Sequence, residues 1–232
     1  MEHLDANLKA FREGIKPDER EASFDYCFNY FQSFRESNEV SALANRANVQ
    51  NSCLHLGFYL ASWGMYRGSA GLLKKSARCL TPIIDVVAQT SMSLWEIDAH
   101  CYTGSNIERL LELANRISNS CPDISMTETL TTKILLGVFG SAPAFDTNVK
   151  LGCKVEGIVA TFGAKALRQI GDFYQNNAAV IDGHRTATLD FGNGGHTQRR
   201  YTRAKVIDMA LLTQGEKVSE SRKLAHKQRP QQ

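Results

Sequence analysis

Residues 21–36, EASFDYCFNYFQSFRE, set Phe24, Cys27, Phe28, Phe31 and Phe34 at the i, i+3, i+4, i+7 spacing of one helical face. Pro17 and an acidic first turn mark where such a helix opens. Five large apolar groups on one stripe predict a buried core helix, and the same helical period recurs along the chain. A helix is expected from about Val40 to Met65, followed by a turn and short helix in RGSAGLLKKS (67–76) and a helix in LTPIIDVVAQTSMSLWEI (80–97). Two further starts carry capping boxes, Ser105 to Glu108 in SNIE and Ser125 to Glu128 in SMTE, where hydroxyl and carboxylate satisfy each other's free backbone donors. The second of these helices is expected to end at Gly140, with Pro143 close behind. Beyond lie a short helix after Asp146, another around AKALRQIGDFYQ (164–175), a polar Gly-rich stretch at 182–200, and a last helix YTRAKVIDMALLTQ (201–214). Only ATLDF (187–191) hints at a strand. The fold class predicted is all-α, a compact multi-helix array in one domain over 1–214, with a basic, flexible tail at 215–232.

At 232 residues the chain can bury one substantial core, and 43% hydrophobic with 22% charged residues excludes disordered and fibrous classes. The formal charge of +3 is small, but Arg199, Arg200, Arg203, Lys205, Lys217, Arg222, Lys223, Lys227 and Arg229 crowd the C-terminal end, which fits either a polyanionic partner or a solubilising tail. Six cysteines stand about one per element with no C-x-x-C pair, the pattern of reduced thiols in a cytoplasmic protein. Cys101 beside His100, and His184 with His196, lack the further close-spaced ligands that a metal site needs, so none is assigned. MEHLDANLKAFREG is too charged for a secretory leader, and LHLGFYLASWGMY is shorter than the roughly 20 residues of a membrane span. No membrane and no protein partner is expected. The P-loop, the dinucleotide fingerprint and H-E-x-x-H are all missing, which removes the usual signals of nucleotide hydrolysis, dinucleotide redox chemistry and zinc proteolysis.

Chemistry is most concentrated in TTKILLGVFGSAPAFDTNVK, residues 131–150. Asp146 is placed to cap the helix that follows, and backbone N–H bonds with the helix dipole keep a carboxylate ionised. A fixed anion is also what an enzyme needs to stabilise the positive charge that develops on a sugar when an N-glycosidic bond breaks. The Lys-bearing helix, proline loop and Asp-opened helix resemble the catalytic region of the helix-hairpin-helix superfamily of DNA glycosylases, where P-V-D-T-x-V follows the hairpin. The resemblance implies that Asp146 stabilises the sugar cation and that Lys133 is the amine which, in bifunctional members, forms a Schiff base. The Gly-x-Gly hairpin turn is absent before Lys133, and Lys133 stands closer to Asp146 than the family's lysine does to its aspartate. Those departures favour a monofunctional enzyme, with Lys133 an exposed lysine beside Gly137.

LGFYLASWGMYRGSAGLLKKS (56–76) and the Y-x-x-A-K-x-I-D-M of Tyr201–Met209 resemble segments of compact bacterial all-α proteins, some of which act against phage by removing hypermodified bases. Trp63, Tyr66 and Arg67 have flat groups able to stack on a base, and the small residues around Ser69 let backbone N–H groups approach an anion. Equally, Tyr59, Trp63 and Tyr66 could continue a core stripe. Phe145 and Asn148, flanking Asp146, complete the expected substrate set. Lys74, Lys75, Lys150, Arg199, Arg200, Arg203 and Lys205 are the expected phosphate contacts on DNA. The leading expectation is a DNA N-glycosylase that flips a modified base and needs no cofactor; the alternative is a noncatalytic nucleic-acid-binding helical module.

Overall fold

In the computed structural model, which describes residues 2–67 and 71–227, the chain is mostly helical. Its elements are α1 (Glu2–Glu13), α2 (Ala22–Glu36), α3 (Val49–Ser62), α4 (Thr81–Ala88), α5 (Met92–Trp95), α6 (Gly104–Asn119), α7 (Glu128–Ile134), α8 (Thr147–Val155), α9 (Ala164–Gly183), β1 (Ala187–Leu189), β2 (His196–Arg200) and α10 (Arg203–Lys227). Among the described residues no helix is long and apolar enough to cross a membrane.

The aromatic stripe of α2 lies at the centre. Phe24, Cys27, Phe28 and Phe31 are buried, Phe34 is half-buried, and Phe24 stacks on Phe28 with ring centroids 5.2 Å apart. One apolar cluster built on this stripe takes side chains from α1 through α10.

Several local expectations need correction. The helix expected from Val40 to Met65 is divided: a 3-10 turn over Val40–Ala44, then α3. Asn48 causes the break by turning its side chain back to donate to the Ala42 carbonyl at 3.0 Å, a local bond that competes with helix. At the other end Gly64, at φ 78, closes α3 with the paired bonds Met65 N–H to Leu60 O and Gly64 N–H to Ala61 O. Trp63 thus sits at the turn itself. The capping hydroxyls are two residues away from those expected, on Thr103 and Thr127, whose Oγ1 atoms accept from Asn106 and Leu130 N–H. Glu128 instead accepts the Phe162 N–H and pairs with Lys150.

After α7 the chain makes a π-helical turn, Leu135–Phe139, and stops at Gly140 in the left-handed region at φ 64. The Gly-rich stretch is a β-hairpin: β1 pairs antiparallel with β2, Ala187 opposite Arg200 and Leu189 opposite His196. The last helix does not end near Gln214 but runs to Lys227, through much of the expected tail. Gly215 serves close packing there, since a Cβ would come 1.8 Å from the Asn148 carbonyl oxygen, and one on Gly152 would come 2.1 Å from that of Leu211. These two glycines bring α8 and α10 into backbone contact.

Candidate active site

The loop from Ser141 to Asp146 is held from both sides. Thr132 Oγ1 accepts the Phe145 N–H at 2.8 Å and Thr129 Oγ1 donates to the Phe145 carbonyl at 3.0 Å, both from α7. From α10, Asp208 Oδ1 accepts the Ala144 N–H at 2.9 Å. So fixed, Asp146 opens α8: its Oδ1 accepts from Asn148 and Val149 N–H, each at 3.0 Å. Its Oδ2 accepts from Lys133 Nζ at 2.9 Å.

Lys133 is therefore not the exposed lysine that the spacing suggested. It lies in the last turn of α7 with 4% of its side chain accessible, against 20% for Asp146. Its ammonium also stands over the indole of Trp63, 5.0 Å from the ring centroid. Gly137 has a different task, letting the Tyr59 ring approach to where a Cβ would be only 2.4 Å away.

Asp146 borders a cleft of about 460 Å³ shared with Trp63, Arg67 and Asn148, and completed by Arg20, Leu212 and Glu216. That volume lies in the range that small ligands occupy. Trp63 is half-buried, with its Nε1 enclosed and unpartnered among the described residues, and the Arg20 guanidinium lies 4.7 Å over its ring. Burial raises the Glu216 carboxyl above its ordinary range, Arg20 lowering it and Asp146 adding to the rise.

Two expected members of the substrate set face elsewhere. The Tyr66 hydroxyl packs against Gly57, 3.1 Å from the position of a Cβ there. Phe145 is fully buried, edge-on to Phe162 with centroids 5.5 Å apart. Ser69 lies outside the described residues. Asn148, though at the cleft, accepts from the Ser219 hydroxyl through its Oδ1 at 3.1 Å.

The expected phosphate contacts divide sharply. Arg199 grips Glu36 with two nitrogens, at 2.8 and 2.6 Å, and gives a third bond to Asn29. Arg203 lies 2.9 Å from both the Asp182 carboxylate and the Tyr174 hydroxyl. Lys205 is buried, 3.1 Å from Asp208, with its ammonium 4.5 Å from the Phe24 centroid and 5.7 Å from that of Trp63. Lys150 pairs with Glu128. These four serve the fold, whereas Lys74, Lys75 and Arg200 are exposed. His184 pairs with Asp5 at 2.8 Å, and Cys101 closes a small capping box with Asp98.

Sequence reasoning missed Arg20, Glu216 and Asp208 as members or supports of this cleft. Arg20 carries no motif. Glu216 fell in the segment read as a tail. Asp208 did have a signal, its i, i+3 spacing from Lys205, which in a helix pairs opposite charges.

No protein family, curated protein or solved structure was found to match this chain.

Proposed function

We propose that this cleft breaks the N-glycosidic bond of a modified base in DNA, leaving an abasic site. The observation that carries the reading is the buried Lys133 ammonium held 2.9 Å from Asp146, on the border of a cleft with an indole wall. In this reaction the C1′–N bond electrons leave with the base, which takes up a proton, while water adds to C1′ and releases one. Asp146 stabilises the transient sugar cation. Two N–H groups and the ammonium fix its orientation, so little reorganisation accompanies charge development. The paired ammonium has no free electron pair to attack with, so water is the nucleophile and Lys133 positions the carboxylate. Removal of hypermodified bases from phage DNA is the biological setting that the resemblance of the sequence suggests.

The test is incubation of the purified protein with DNA carrying different modified bases, scored for abasic sites. Asp146→Asn keeps an oxygen for the cap but loses the charge, and release should fall by about a hundredfold or more. Undiminished release in that variant ends the assignment. Borohydride trapping of a covalent protein–DNA adduct, lost in Lys133→Ala, would make Lys133 the nucleophile instead.

A further inference from the structure

With Arg199, Arg203, Lys205 and Lys150 engaged internally, the cations left for a polyanion lie elsewhere. The outer face of α3 presents Gln50, Leu54, Phe58 and Ala61 to solvent, with Leu54 48% and Phe58 66% accessible. At one end this stripe runs into the candidate cleft, which Ala61, Ser62 and Trp63 line. At the other it borders a hollow of about 470 Å³ that holds Arg46 and Arg78. Arg78 also lines an adjoining hollow of about 380 Å³ with Lys75, where Asp123 is the one carboxylate among the lining residues. Arg46, Lys75 and Arg78 make no ion pair among the described residues.

We propose that the α3 face carries a single-stranded run of the DNA chain into the cleft, with a base stacked on Phe58 and phosphates on Arg46, Lys75 and Arg78. The partner class rests on the glycosylase reading; the placement rests on exposure and charge. An aromatic ring 66% accessible, on a stripe that ends among unpaired cations, is the combination that binds unpaired nucleotides without sequence preference. From Gln50 to Ser62 the helix advances about 18 Å, enough for several nucleotides of an extended strand. A second copy of the chain fits worse, because two exposed apolar side chains are far fewer than the roughly 20–30 residues a side of a stable interface. A membrane also fits worse, since Leu54 and Phe58 are the only large apolar groups on the stripe.

The experiment titrates a labelled single-stranded oligodeoxynucleotide of ordinary bases, so that binding is read without any base release. Phe58→Ala should weaken binding by about tenfold, the scale of one lost stacking contact. Replacing Arg46, Lys75 and Arg78 together by Ser should lower the slope of log affinity against log salt by about 2, at roughly 0.7 per phosphate on single strands. Lys165→Ser, an exposed cation on α9, should leave that slope unchanged. Thermal melts of all variants should match the wild type, since every altered group is at the surface. Wild-type affinity and slope in both the Phe58 and the triple variant would overturn the proposal. So would a dimer dispersed by Phe58→Asp, or binding to anionic lipid vesicles in preference to the oligonucleotide. Strand binding lost in these variants, in a protein that releases no base from any DNA, would sink the glycosylase reading and leave this one standing. Base release with an α3-independent affinity would do the reverse.

Discussion

Asp146 and Asp98 both collect the free N–H groups at the head of a helix, and they differ in what stands behind the carboxylate. Asp98 accepts from Ala99 N–H at 2.7 Å and, across the fold, from Arg203 and Ala204 N–H at the start of α10, at 2.9 and 2.8 Å. Burial alone would raise its carboxyl, but His100 and those three N–H groups outweigh that and hold it below the ordinary carboxylate range. Both its oxygens are occupied by backbone. Asp146 concentrates its two backbone bonds on Oδ1, leaving Oδ2 for a buried amine on the border of a cleft. Capping therefore does not distinguish the two carboxylates; the division of labour between their oxygens does.

The largest effect should come from removing Asp146 altogether. Asp146→Ala takes away the cap and strands an ammonium that is nearly inaccessible, a loss of about 3–5 kcal/mol for a broken buried pair. Lys133→Met in the same background removes the stranded charge and should restore most of that stability in a denaturant titration. A double variant no more stable than Asp146→Ala would show that the pair is not energetically coupled. The contrast with Asp98 would then narrow to the cleft alone.

A third carboxylate, more deeply buried than either, sharpens the comparison by having fewer donors. Asp25 Oδ2 accepts from Leu189 N–H and the Tyr201 hydroxyl, both at 2.8 Å, while its Oδ1 is buried without a partner. Burial pushes its carboxyl up to about 6, against the pull of those two bonds and of Lys205 and His196. The folded state thus holds a proton on Asp25 where the unfolded chain has released it. Its favourable contribution is complete below about pH 4 and is lost as pH rises through about 6, a fall of about 3 kcal/mol by linkage. Asp25→Asn, neutral throughout, should flatten that part of the stability–pH curve relative to wild type. An unchanged curve would mean that Asp25 titrates at its ordinary value.

How much of this was readable in the sequence depended on range. The stripe of α2 and the stop at Gly140 follow from local pattern, and so does the Asp146 cap. The Lys133–Asp146 contact was obscured because thirteen residues of spacing say nothing about a π-helical turn and a loop that fold the chain back on itself. The basic residues near 200 misled for a related reason. Arg199 and Arg203 find their partners in Glu36, Asp98 and Asp182, far off in sequence, so a solvated run and a paired one look alike; Lys205, three residues before Asp208, alone carried a local sign. The two glycines joining α8 to α10 read as flexible punctuation until the facing carbonyls are seen.

The smallest effect expected concerns Asp98 and completes the contrast. Asp98→Asn keeps one acceptor oxygen and turns an NH2 toward an N–H that a carboxylate oxygen had accepted from, so about one charge-assisted bond is lost, roughly 2 kcal/mol of stability at neutral pH. Its pH dependence has the sign opposite to that of Asp25. A carboxyl held below its ordinary value stabilises the fold above about pH 4 and ceases to do so as pH falls through its folded value, so the gap between wild type and variant should close in acid. Base release measured well below the melting temperature should be unaffected, because Asp98 is not among the residues lining the cleft. If Asp98→Asn instead slowed release as strongly as Asp146→Asn, the placement of α10, carrying Asp208 and Glu216, would be limiting for the chemistry. The distinction between a carboxylate that only caps and one that also reacts would then have to be drawn at the helix rather than at the side chain.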